Sequence, residues 1–178
     1  VKTLIVNFYG GPGVGKSKMA FRLTSDLKDR GYGVELAAEY AKDLTWQQSH
    51  HVLTNQIYVF GKQQHRIWRL DGKVQIIVTD SSILNSVVYC KDDTTPLFKA
   101  MVIEEYRKRH NLSINLLRGK HYDQNGRNQD LGGAIQLDNE ITEMVEANFG
   151  FDLTIPGELE HSNEILEFVI KKYNELNK

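Results

Sequence analysis

A chain of 178 residues with 40% apolar and 25% charged residues has the composition of one globular domain with its own core. Its formal net charge of −1 excludes the global basic field of a non-specific nucleic-acid binder, and its single cysteine excludes an internal disulfide or a multi-cysteine metal site. No apolar run approaches the ~18 residues of a membrane span, and the N-terminus has no signal-peptide layout, so a cytoplasmic address is expected.

The elements alternate. "TLIVNFY" (3–9) is an apolar strand run, followed by a glycine loop and a helix through Arg30. "GYG" (31–33) turns the chain into a short strand, "VELAA" (34–38). "TWQQ" at 45–48 has the pattern of a capping box, Thr45 at the cap and Gln48 reaching back, which predicts one long helix running to Leu70. "VQIIVTD" (74–80) is a third strand, apolar on both faces and therefore expected in the interior of a parallel sheet. Pro96 marks a helix start, "LSINLL" (112–117) a fourth strand, and the polar, glycine-rich run 119–133 a loop. A helix over 136–148, a strand over 152–156 and a helix over 162–176 complete the chain. Cys90 is expected as a small buried hydrophobe.

Strands alternating with helices imply an α/β fold with a parallel, helix-covered sheet. Ligands on such sheets bind beyond the carboxyl ends of the strands, so the residues after 9, 38, 80 and 117 carry the functional expectation.

The segment Gly10-Gly11-Pro12-Gly13-Val14-Gly15-Lys16-Ser17 fits G-x-x-x-x-G-K-[ST] between a strand and a helix, the context of a phosphate-binding P-loop. Gly10, Gly13 and Gly15 let the backbone curl so that successive N–H groups face a phosphate, with Gly11, Gly13, Val14 and Gly15 expected to bind it. Lys16, with Lys18 and Arg118 near it, supplies positive charge, and the Ser17 hydroxyl can ligate Mg²⁺. ATP and Mg²⁺ are the cofactors expected.

Two acids follow strands on the same rim. Asp80 can hold the metal, or cap a helix beginning near Ser82. Glu39, in "LAAEYAKD", can accept a proton from an attacking hydroxyl, and Asp43 is a weaker version of that idea. The helix "NQIYVFGKQQHRIWRL" (55–70) offers Tyr58, Gln63 and Arg66 to an acceptor molecule, and Tyr40 precedes it. His50, His51 and His65 lack metal-site spacing. Arg118, Lys120 and Arg127 lie on the polar loop, where an arginine on a closing lid could meet the transferring phosphoryl.

The succession "GGPGVGKS", "EYAKD", "NQIYVFGKQQ", "IIVTDSS", "EEYRKRHNLSINLL" and "YDQNGRNQ" resembles the P-loop kinase domain of the bifunctional NAD-regulator proteins, which phosphorylates nicotinamide riboside. Related small ATPase/kinase-like proteins are often carried by bacteriophages. The resemblance spans roughly residues 1–155 and implies a five-stranded parallel sheet of order 2-3-1-4-5. Within it Glu39 or Asp80 is the acid on the acceptor side, and Arg127 is a lid residue. The loop "HYDQNGRNQDLGG" departs from the tryptophan-containing lid of the nicotinamide-riboside enzymes.

The expectation is a single P-loop kinase domain over 1–178 with a lid at about 119–133. It would move the γ-phosphoryl of ATP to a nucleoside or (deoxy)nucleoside monophosphate, with Lys16, Glu39, Asp80 and Arg127 as the catalytic set. Nicotinamide riboside and a modified base in DNA are alternative acceptors, and an ATP-driven switch acting through a partner is the rival class. A monophosphate acceptor would call on Arg66 or Arg69. Nucleic acid is a disfavoured partner on net charge, a membrane is excluded, and a homodimer is left open.

Overall fold

The computed structural model describes residues 2–90, 96–119 and 130–178. Strand β1 (Leu4–Tyr9) leads through the glycine loop into helix α1 (Lys16–Asp29), then β2 (Val34–Leu36) and α2 (Tyr40–Trp46). A single turn, α3 (His50–Leu53), precedes α4 (Gln56–Trp68) and β3 (Ile76–Thr79). After β3 come α5 (Asn85–Tyr89), α6 (Pro96–Arg107) and β4 (His110–Leu117). The chain ends with α7 (Leu131–Asn148), β5 (Leu153–Pro156), a 3-10 turn (Leu159–His161) and α8 (Ser162–Leu176).

The five strands pair in the order β2-β3-β1-β4-β5, and every described pairing is parallel. Val6 is level with Val78 on one side and with Leu112 on the other. Period-two alternation sends successive β1 residues into two different cores. Leu4, Val6 and Phe8 pack with Leu23 and Leu27 of α1 and with Ile165 and Val169 of α8. Ile5 and Tyr9 pack with Phe60 of α4, Val102 of α6 and Ile141 of α7. A strand buried on both sides must be apolar throughout, which is why "LIVNFY" shows no alternation. Its one polar interruption, Asn7, donates through Nδ2 to Asn111 Oδ1 at 3.0 Å.

Four expectations need correction. Thr45 is not a cap: it lies inside α2 and its hydroxyl donates to Ala41 O at 3.2 Å. The expected single helix is broken at Gln48, whose φ of 55° is in the left-handed region, and α4 restarts with Asn55 Oδ1 accepting from Tyr58 N–H at 3.2 Å. Asn55 caps better because it stands before an apolar, helix-spaced run, whereas Thr45 stands at the end of one. Asp80 does not cap a helix near Ser82, since α5 begins only at Asn85. The final loop ends earlier than expected. Asp130 accepts from Gly133 N–H at 2.8 Å and starts α7 at Leu131, with Gly132 and Gly133 inside the first turn, where glycine signals had suggested loop. Cys90 is buried in the second core, as expected.

Among the described residues, no helix is long and apolar enough to cross a membrane.

Candidate active site at the carboxyl rim of the sheet

The parallel arrangement delivers the ends of β1, β2 and β3 to one rim, and a cavity of about 950 Å³ opens there. One end is the glycine loop. Gly10, Gly13 and Gly15 have φ values of 121°, 85° and 102°, a region closed to most side chains, so the loop is a glycine construction by necessity. Space enforces the same rule at Gly15, where a Cβ would stand 2.6 Å from Gly157 O. Gly15 is also the residue from which α1 starts, so the helix's positive end faces the cavity.

Pro12, Gly13, Gly15, Lys16, Ser17 and Lys18 line this end. Lys16 Nζ donates to Gly10 O at 2.7 Å and Gly11 O at 2.9 Å, folded over its own loop. Burial pushes the Lys16 ammonium below its usual value, against the opposing pull of Glu39, Asp80 and Asp138. A phosphate would add counter-charge to that of these three carboxylates. Val14 points the other way: it is 4% exposed and packs in the first core, so only its backbone can serve a ligand. Gly11 is also turned aside, its N–H donating to Asp138 Oδ1 of α7.

Glu39 lines the middle of the cavity. It stands between β2 and α2, and its backbone N–H donates to Asp80 Oδ1 at 2.9 Å, so the acid after β2 is held by the acid after β3. Burial raises the Glu39 carboxyl above its ordinary value; Lys16 opposes the shift and Asp80 adds to it. A half-buried carboxylate with a raised pKa has the properties of a general base. Asp80 is 4% exposed and stands behind the lining, directly before Ser81 and Ser82, which are part of it.

The far wall is polar, and of its residues only Gln63 was expected from the sequence. Ser81, Ser82, Asn85, Ser86 and Tyr89 contribute to it from the β3–α5 segment, and Gln56 and Gln63 from α4. Burial pushes the Tyr89 hydroxyl well above the usual tyrosine range, so it stays protonated and can donate. Ser82 is fixed from beneath by a chain of buried hydroxyls. Tyr9 Oη lies 2.8 Å from Ser82 Oγ and 3.1 Å from Tyr106 Oη, which in turn lies 2.8 Å from Ser113 Oγ.

The acceptor-side residues read from the sequence divide. Gln63 lines the cavity, but its amide is engaged: Oε1 accepts from Tyr40 N–H at 2.9 Å, and Nε2 donates to Thr79 Oγ1 at 3.3 Å. It ties α4 to the start of α2 and the end of β3. Tyr40, Tyr58 and Arg66 are not among the lining residues. Arg66 Nη1 donates to Ala38 O at 2.9 Å, its Nη2 bonds Asp43, and its guanidinium lies over the Tyr40 ring. Tyr40 and Tyr58 join through their hydroxyls at 3.0 Å. Arg118 is held by Asp138 Oδ2 at 2.7 Å and Ala134 O at 3.4 Å, also outside the lining. Lys120 and Arg127 lie outside the described residues.

Of two further supports, one could have been found by applying the rim rule to the last strand. Gly157 follows β5, and its N–H donates to Leu117 O at 3.1 Å, seating the turn against the glycine loop. Asp138 had no such signal; only the fold brings α7 to the loop. His50 lines the cavity, and no group of three His, Cys, Asp or Glu side chains that could hold a metal occurs among the described residues. The chemistry available for Mg²⁺ is therefore one hydroxyl and one or two carboxylates, completed by phosphate oxygens and water, the usual demand of that ion. Ser17, Asp80 and Glu39 fit it.

Comparison with known proteins gives the same architecture. A family described as an AAA domain matches residues 5–160. The solved structure of deoxyadenosine kinase from M. mycoides with bound dATP superposes with a TM-score of 0.59 at 16% identity, covering 98% of this chain and 100% of that one. A structure described as APE1195 aligns with a TM-score of 0.47 at 18% identity, over 99% of this chain and 98% of that one. No curated protein matches the sequence. The sheet order and its helical cover are those of a P-loop kinase fold.

Proposed function

Since the chain belongs to the AAA-domain family of P-loop proteins, we propose that it is a phosphotransferase moving the γ-phosphoryl of ATP to a hydroxyl of a nucleoside. One observation carries this reading. A single cavity joins the glycine loop to a wall of neutral hydrogen-bonding side chains, with the Glu39 carboxyl between them. Its volume of about 950 Å³ is at the upper end of the range for small-molecule sites, room for two ligands end to end.

The loop N–H groups and Lys16 would hold the β- and γ-phosphates, and Ser17 and Asp80 the metal. Mg²⁺ supplies neutralisation of phosphate charge when bound. Glu39 orients the acceptor hydroxyl and takes its proton as the new O–P bond forms and the bond to the β-phosphate oxygen breaks, leaving ADP. Arg127, which lies in sequence between β4 and α7, is proposed to stabilise the charge on the group in transit.

A nucleoside is favoured over a monophosphate. A second phosphate on the acceptor calls for an arginine fork, and neither Arg66 nor Arg69 lines the cavity. Among nucleosides, a purine deoxynucleoside ranks first, because the superposing structure is a deoxyadenosine kinase; nicotinamide riboside, suggested by the sequence resemblance, ranks second.

The test is ADP release from Mg-ATP in the presence of a panel of nucleosides, nicotinamide riboside and nucleoside monophosphates. A nucleoside should accelerate turnover well above background and appear as its 5′-phosphate by mass. If no acceptor accelerates ADP release, the kinase reading fails and a nucleotide-driven switch takes its place.

A further inference from the structure

From Leu44 to Leu70 the chain contains no Asp or Glu, although it holds 23 acids among its 178 residues. The same stretch holds Lys62, Arg66, Arg69, three histidines and both tryptophans. The net charge of −1 therefore conceals a local asymmetry.

The fold turns that stretch into a surface. On α4 and its C-cap Arg69, Tyr58, Lys62, His65 and Arg69 recur at intervals of four, three and four, one side of the helix, and all are exposed. Lys62 Nζ lies over the Tyr58 ring at 5.4 Å, and the rings of His65 and Trp68 stack at 5.6 Å. Trp68 is 59% exposed and Trp46, at the end of α2, 66% exposed. Tryptophan has the largest apolar surface to hide, so an exposed Trp68 stacked on the His65 of a cationic stripe is not an ordinary solvated face. The nearest acids in the sequence are engaged: Asp43 with Arg66 and Asp71 with Arg109 at 3.3 Å.

We propose that this face of α4 binds a single-stranded nucleic acid, with Lys62 and Arg69 on phosphates and an unpaired base stacked on Trp68. The two cations are separated by about 10 Å along the helix, at ~1.5 Å per residue, the layout of a backbone-tracking cationic line with an aromatic platform on it. A second copy of the chain fits worse. Two-fold pairing of this face would set cations against cations with no carboxylate between them. Tyr58 places one end of the stripe near the cavity, because its hydroxyl partner Tyr40 immediately precedes the lining residues Ala41 and Lys42. The proposal does not depend on the phosphotransfer reading and is tested without ATP.

The probe is a short fluorescently labelled oligothymidylate, its anisotropy titrated with the full chain from about 50 to 200 mM salt. Binding should weaken steeply with salt. Lys62→Ala with Arg69→Ala should flatten the slope of log affinity against log salt by about 1.4, two phosphates at ~0.7 each. Trp68→Ala should weaken binding roughly 5- to 150-fold, the worth of one stacked base. Lys62→Arg should retain binding, and unchanged circular dichroism should confirm that each variant is folded. No binding at 50 mM salt, or an unchanged slope in the double variant, overturns the proposal. So does a dimer in sedimentation that Trp68→Ala dissolves, because the face would then belong to a second copy.

Discussion

The two ends of the cavity are built by opposite means. At the glycine-loop end the lining is backbone shaped by Gly10, Gly13 and Gly15, with Lys16, Ser17 and Lys18 of the first turn of α1, the groups proposed to meet phosphate. At the end proposed for the acceptor they are side chains from α4 and the β3–α5 segment, residues that meet only because three strands end on one rim. A backbone site is written locally and tolerates almost no substitution. A side-chain site is assembled from a distance, and its members can be exchanged singly, which is how related folds change acceptors while keeping ATP.

The sharpest way to break this contrast is at Lys16. Lys16→Ala should reduce ATP-dependent turnover by at least ~10²–10³-fold, the scale of losing one aligned charge-stabilising donor, measured by ADP release. Substantial residual turnover would mean that the loop amides act without it. Next comes Glu39→Gln, expected to lower kcat by roughly 10²–10⁴-fold as a lost general base, while ATP affinity by calorimetry stays unchanged. Normal turnover in that variant would move the base to Asp80.

The same substitution makes a second prediction, about stability. Because the folded Glu39 carboxyl is raised above its unfolded value, its ionisation disfavours the folded state, and that penalty is complete above the folded pKa. Glu39→Gln should therefore raise Tm at neutral pH. The gain should shrink as pH falls and vanish below the unfolded glutamate value of about 4.3. A lower Tm at pH 7 would show the carboxylate to be held by favourable contacts instead.

Gln63→Leu gives an intermediate effect. It leaves Tyr40 N–H and Thr79 Oγ1 without their amide partner and should cost about 1–3 kcal/mol in urea unfolding. It should also raise the acceptor KM more than the ATP KM, which tests whether the two ends are separable. The smallest effect is expected at Asp43→Asn. The Asp43–Arg66 pair is partly exposed, and such pairs contribute about 0–1 kcal/mol. A large loss of acceptor affinity there would bring Arg66 back as a ligand for the acceptor.

The same division explains what could be read before the fold was known. The glycine loop, Lys16 and Ser17 were legible because their chemistry is contiguous. The sheet was legible because β1 and β3 are apolar on both faces, a pattern that only a covered parallel strand needs. Glu39 and Asp80 emerged from a rule about strand ends. The far wall did not, because Ser81, Ser82 and Asn85 carry no pattern that separates a pocket lining from a turn. Thr45 misled for a related reason: a capping motif is local, and whether it starts a helix or sits at the end of one depends on what precedes it. Asp138 was invisible, since nothing in α7 announces a bond to a loop 127 positions earlier. The overall charge conceals a pattern, because a net charge of −1 averages the acid-free stretch 44–70 with a more acidic remainder.

The turn after β5 has a consequence for anyone diversifying this scaffold. A Cβ at residue 157 would stand 1.9 Å from Val14 O, backbone that cannot give way without reshaping the phosphate loop. A library that preserves every residue of the glycine motif and randomises position 157 should return almost nothing but glycine. The nucleotide fingerprint of this chain therefore has a ninth member, placed some hundred and forty residues downstream of the other eight.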